Sequence, residues 1–440
     1  MKKLLALFAF ALALTVALPA GGVRAEDRTT VTFWYSLSGV NADAILEIVN
    51  RYNQSQDKVF VDAQYQGEYD DAINKLKAAG MGQLPCDIVH SYEIGTRFII
   101  DSGWIRPVQE FIDADHWDTS VIEPNLLAYY TVDGKINSMP FNCSTPLLYY
   151  NKTAFEEAGI TEVPTTIDGI LEIAEKLTTY NANGSVDRYG LYISNYGWFF
   201  EQWVGKMGRE YVNNGNGRES YATRVMFGEN GAALDIFNMW RKFAESPYVM
   251  YAERGGTTQG RAAFVANKAA MALASTANIA GTIANVGDAF EVGAAYFPYV
   301  NPDDDGGVST GGGTLWIIDS GNEARMNASY DFIKFCVNPE NQAYWSSITG
   351  YFPINVNARD TETFKANIEK NPQFEVALDQ LHDSGPQYVG SLLSVFPEVR
   401  QYVEEVTEKV YMGSLTPEQG VEELVRMADE AIENYNLVNY

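Results

Sequence analysis

Residues 136–152 read INSMPFNCSTPLLYYNK. Two apolar stretches of strand character, punctuated by Pro140 and Pro146, are interrupted by the polar run Asn142, Cys143, Ser144, Thr145. Proline cannot donate to a sheet ladder, so it stands at strand starts, edges and kinks. The pattern predicts a crossover, in which one strand hands the chain to another through a polar kink.

The sequence before this point has the order strand, helix, strand. TVTFWYSLSG (30–39) reads as a strand running into a polar glycine turn, after which Ile45, Ile48, Val49 and Tyr52 recur at helical spacing. KVFVDAQYQG (58–67) alternates Val59, Val61, Ala63 and Tyr65, as one face of a strand does. A βαβ unit follows, and with it an α/β lobe. DIVHSYEIG (87–95) adds a short strand entering a turn, and SGWIRPVQEFI (102–112) continues the lobe.

Beyond the crossover the same alternation resumes. TTIDGILEIAEKL (165–177) predicts a helix with Thr166 as N-cap, and RYGLYISNYGWFFEQWVGKMG (188–208) a strand, a glycine turn and an aromatic helix. GRAAFVANKAAMALASTANIAGTI (260–283) reads as helix, small-residue strand and Ser/Thr turn. Residues 291–319 give two strands around a long polar loop, and EARMNASYDFIKFCV (323–337) a helix in which Cys336 is a buried hydrophobe. Thr416-Pro417-Glu418-Gln419 is a capping box with proline at the first helical position.

The bulk numbers agree with two lobes. At 440 residues the chain exceeds one ordinary hydrophobic core. Residues 1–25 carry Lys2 and Lys3, an apolar run and a Val-Arg-Ala end, which predict a signal peptide cleaved before Glu26. The apolar run is shorter than the roughly 20 residues a spanning helix needs, and it contains no cysteine for a lipid anchor. A soluble protein exported to the periplasm is expected. The formal net charge of −26 becomes more negative when the leader's three cations leave, which disfavours nucleic acid and anionic lipid as partners. Three cysteines, Cys86, Cys143 and Cys336, are too few for a disulfide framework.

Motifs for chemistry are sparse. GGVSTGGGT (306–314) has no lysine and no P-loop spacing, and NPDDDGG (301–307) lacks the ligand alternation of a calcium loop. His90, His116 and His382 form no metal pattern, and no nucleophile motif occurs. No cofactor and no metal are expected. Trp198 follows a strand at a glycine turn, where loop ends of an α/β lobe face the crevice.

Several stretches agree with one family. FWYSLSG, YQGEYDD, YEIGT, PFNCSTPLLYYNK, AMALAS, GGGTLWI, TGYFPIN and PEVR occur in the order seen in extracellular solute-binding proteins of ABC importers, family 1. The chain most resembles the glycerol-phosphate branch of that family. The resemblance implies a periplasmic-binding-protein fold of two α/β lobes closing on ligand at a hinge. It implies a first lobe of residues 26–141 with about 312–352, and a second of about 142–311 with 353–440.

By position, the resemblance implies ligand contacts at Tyr69, Glu93, Ser144, Trp198, Ser275, Gly312, Tyr351 and Arg400, with Tyr35 and Ser36 as further candidates. Glu93 would accept from glycerol hydroxyls, and Arg400 would pair with phosphate from the opposite lobe, so that only a ligand with both ends bridges the cleft. Implied too are a monomer without catalysis and delivery of glycerol-3-phosphate or a glycerophosphodiester to a membrane permease. A neutral oligosaccharide is the alternative ligand. A secreted phosphodiesterase or glycosidase is the alternative class.

Overall fold

The structure, a computed structural model, describes residues 28–80, 84–255, 257–385 and 388–440. The leader expected over residues 1–25 lies outside them.

Two mixed sheets organise the chain. The first runs in the order Val59–Tyr65, Thr29–Tyr35, Ile88–Tyr92, Gly311–Ile318, Ile105–Arg106, with Met139–Ser144 also paired to Gly311–Ile318. Thr29–Tyr35 is parallel to both neighbours, as the βαβ reading requires. The connecting helix Gly39–Ser55 buries Ala44, Ile45, Ile48, Val49 and Tyr52, the stripe its spacing predicts. Tyr52 meets Phe332 of the helix Glu323–Cys336 edge-on, with ring centroids 5.1 Å apart.

The second sheet runs Val249–Arg254, Val186–Asn195, Ala269–Ser275, Pro146–Asn151, Val292–Tyr296. The helix Gly197–Lys206 fills its core with Phe199, Phe200 and Trp203, the last stacked on Phe297 at 5.1 Å. Thr166 caps the helix Ile167–Leu177 by accepting from the Gly169 amide. Both halves of the Thr416–Gln419 capping box form at the head of the terminal helix Pro417–Asn439. Cys86, Cys143 and Cys336 are buried free thiols.

The crossover lies between the sheets. Met139–Ser144 belongs to the first sheet and Pro146–Asn151 to the second, with Thr145 alone between them. The chain returns along Gly311–Ile318, antiparallel to Met139–Ser144. Gly312 has φ +97°, and a Cβ there would sit 1.9 Å from the Asn142 carbonyl oxygen. Only glycine lets the two crossing strands approach so closely.

Candidate functional site

A cavity of about 530 Å³ opens between the two sheets. Strand ends build much of its wall: Ile88–Tyr92 runs into Glu93, Ala269–Ser275 ends on Ser275, and Met139–Ser144 ends on Ser144. Trp198 enters from the first turn of Gly197–Lys206, Tyr69 from the start of the helix Tyr69–Ala79, and Gly312 from the returning strand. Tyr351 and Arg400, the latter on the helix Phe396–Tyr411, complete the set. All eight positions carried over by resemblance therefore line one space, although they are scattered over more than 300 residues of chain.

Tyr35 and Ser36 do not line it. Tyr35 is packed against Phe33 and Tyr65, and Ser36 is fully buried, its amide donating to His90 Nδ1 at 3.4 Å. Both side chains are buried, and it is Ser38 and Asn41, just beyond, that reach the cavity. This corrects the expectation for Tyr35 and Ser36.

A second correction concerns Arg400. It is not opposed to Glu93 across an open gap. Its Nη2 donates to Glu93 Oε1 at 2.7 Å and to Glu201 Oε2 at 2.8 Å, and its Nε donates to Glu201 Oε1 at 2.6 Å. Arg400 is 8% exposed, so this is a buried triad joining Glu93 of the first lobe to Glu201 and Arg400 of the second. Burial opposes the charge on Arg400, but Glu201 and Glu93 outweigh it and hold its pKa well above the ordinary guanidinium value. One guanidinium serves two carboxylates. Burial accordingly pushes Glu201 up to about 7 against the pull of Arg400, with Glu93 and Glu404 adding to the rise. Gly197 makes room for this arrangement, since a Cβ there would meet Arg400 Cγ at 2.6 Å.

Tyr69 is oriented by a relay behind it. The Ser36 amide can only donate, so His90 Nδ1 accepts, and His90 Nε2–H must donate to Asn142 Oδ1 at 2.7 Å. Asn142 Nδ2 then donates to the Tyr69 hydroxyl at 2.7 Å. That hydroxyl keeps its own proton for an acceptor in the cavity. Burial lowers His90 to about 4, despite the bond it donates to Asn142, so the ring is neutral and the relay keeps one sense.

Other groups in the wall include the Glu68 carboxylate, which accepts from the Ser38 hydroxyl at 2.7 Å, and a set of donors and aromatic faces. Trp198 is buried, and its Nε1–H finds no acceptor among the described residues. The Ser275 hydroxyl accepts from the Ala277 amide at 3.2 Å, which leaves its proton to donate. Tyr92, Tyr196 and Phe199 add rings. The sequence reading missed Glu201 and Arg261. Glu201 lies one turn beyond Trp198 on the same helix, so the helical period could have placed it near the site. Arg261 sits in GRAAFV without any local motif.

Comparison with known proteins agrees with this architecture. Residues 47–375 match the family described as bacterial extracellular solute-binding protein. The chain is 28% identical over 427 residues to the sn-glycerol-3-phosphate-binding periplasmic protein UgpB of Pectobacterium atrosepticum, covering 93% of each. It is 29% identical over 444 residues to UgpB of Yersinia enterocolitica, covering 97% of each. Among solved structures, UgpB from Mycobacterium tuberculosis in complex with glycerophosphocholine superposes with a TM-score of 0.77 at 24% identity, covering 93% of this chain and 99% of that one. The maltose/maltodextrin-binding domain MalE from Bdellovibrio bacteriovorus bound to maltotriose gives 0.73 at 20% identity, covering 92% and 100%. Two sheet-bearing lobes around a polar, aromatic cavity, with a family match over most of the chain, lead to one conclusion: this protein belongs to the bacterial extracellular solute-binding proteins.

Proposed function

We propose that this protein is the periplasmic substrate-binding component of an ABC importer. Its ligand is glycerol-3-phosphate or a glycerophosphodiester such as glycerophosphocholine, delivered unchanged to a membrane permease. The observation that carries the reading is the convergence of Tyr69, Glu93, Ser144, Trp198, Ser275, Gly312, Tyr351 and Arg400 on one cavity. In support, the oriented Tyr69 hydroxyl, Ser144 and the Glu93–Arg400 pair suit the hydroxyls of a short polyol, and Trp198 supplies a face for its carbon chain. The relatives named for glycerol-3-phosphate and glycerophosphocholine favour the same ligand class.

We take the lobes as residues 26–141 with about 312–352, and about 142–311 with 353–440, consistent with the two crossing strands. A monomer that binds without catalysis is part of this reading, as is export by a cleaved leader. That no helix among the described residues is long and apolar enough to cross a membrane accords with it. A neutral oligosaccharide is the second reading, favoured by the aromatic side chains Tyr69, Tyr92, Tyr196, Trp198, Phe199 and Tyr351 in the wall and by the maltotriose-bound neighbour.

Incubating the protein with glycerophosphocholine and analysing what is retained and what is free tests the binding role. Stoichiometric retention of the intact compound is expected. Release of free choline or glycerol in many turnovers would make the protein an enzyme and overturn the proposal.

A further inference from the structure

Two cations line the cavity, Arg400 and Arg261. Arg400 is enclosed by Glu93 and Glu201, so the triad carries excess negative charge and offers an anion little net attraction. The chain as a whole, at −26, repels anions as well. A phosphate taken into this cleft needs a cation that is not already neutralised.

Arg261 is that cation. It lies on the helix Thr257–Val265, which packs on the strands Ala269–Ser275 and Val186–Asn195, on the latter through Gly260, where a Cβ would meet the Tyr192 ring at 2.8 Å. Its Nη1 donates to Asn278 Oδ1 at 3.2 Å, and among the described residues no carboxylate lies within ion-pair distance of it. One amide oxygen thus holds the guanidinium in place and leaves most of its five N–H donors free. Ser275 and Asn278, in the same wall, have a hydroxyl proton and an amide NH₂ to offer beside it.

We infer that Arg261, with Ser275 and Asn278, is the anion-reading pole of the cleft and takes the ligand's phosphate, while Glu93 and Arg400, held by Glu201 behind them, read the polyol end. The inference rests on the phosphorylated-polyol reading above. A planar guanidinium suits two phosphate oxygens at once. Charge at this pole, rather than at Arg400, decides between a phosphorylated polyol and a neutral one.

The test is calorimetric titration of ligand-stripped wild type, Arg261→Gln and Arg261→Lys with glycerol-3-phosphate, in low and high salt. Arg261→Gln is expected to bind ~10- to 100-fold more weakly, as loss of a hydrogen bond to a charged group does. Its salt dependence should flatten and its melting temperature stay unchanged, with Arg261→Lys intermediate. An Arg261→Gln protein with wild-type affinity and salt slope would overturn the inference while leaving the ligand class intact. A wild type that binds neither glycerol-3-phosphate nor glycerophosphocholine would remove the ligand class and the inference with it.

Discussion

In the same cleft one guanidinium is enclosed by two carboxylates, and another has, among the described residues, only an amide oxygen for company. Arg400 is buried and fixed by three hydrogen bonds to Glu93 and Glu201, whereas Arg261 is half-buried and fixed by one bond to Asn278. The first arrangement is complete without ligand and joins the lobes. The second is complete only when an anion arrives. An arginine in a binding site therefore cannot be given a role from its identity alone, because its partners decide whether it clamps the protein or reads the ligand.

The strongest way to break this comparison is Arg400→Ala. It leaves Glu93 and Glu201 facing each other in a buried site, so a stability loss of ~3–5 kcal/mol is expected in chemical denaturation. Adding Glu93→Gln and Glu201→Gln should restore much of that stability but not ligand binding. A single variant that unfolds at the wild-type midpoint would show that the triad is not what joins the lobes.

The pH dependence sharpens the same contrast. Glu201 ionises near 7 in the folded protein against an ordinary value of 4.5, so the folded state holds a proton the unfolded chain has lost. The associated stabilisation is complete below pH 4.5 and is lost as pH rises through 7, with an upper limit of ~3 kcal/mol. Glu201→Gln lacks that loss. The stability of wild type minus that of the variant should fall between pH 5 and 8, measured by denaturant midpoints, and a flat difference would contradict the account. His90 runs the other way: its pKa is lowered from 6.5 to about 4, so its contribution is present above pH 6.5 and lost as pH falls through 4. It is common to both proteins and cancels in the difference.

Asn142→Ala severs the relay between His90 and Tyr69. It leaves the His90 Nε2–H without an acceptor and frees the Tyr69 hydroxyl to turn, at a cost of ~1–3 kcal/mol in stability. Affinity for the polyol should weaken too, with the salt dependence set at Arg261 unchanged. The smallest expected effect is remote from both poles. Thr416→Ala removes the terminal helix cap, costs ~1 kcal/mol in thermal unfolding, and leaves ligand affinity as it was.

Much of the fold was legible in the sequence because local patterns carry it. The stripe Ile45, Ile48, Val49, Tyr52, the Thr166 and Thr416 caps, and the kink at Asn142–Thr145 are all statements about neighbours in the chain, and each element forms where its pattern lies. The site was legible only through resemblance. Tyr35 was misjudged because it packs into the buried core of the lobe, and Ser38 and Asn41, at the cap and first turn of the next helix, reach the cavity instead of the strand end. Glu201 and Arg261 escaped notice for a different reason. Their significance depends on the Glu93–Arg400 contact across 307 residues of chain, and no local pattern encodes which carboxylate a distant arginine will meet.

The most direct test of the account is calorimetric titration of the ligand-stripped protein with glycerol-3-phosphate, glycerophosphocholine and maltose, each run separately. The account predicts tight one-to-one binding of at least one phosphate compound and no heat from maltose. Binding of maltose alone would contradict it, leaving the fold and family in place and moving the ligand to the neutral sugars.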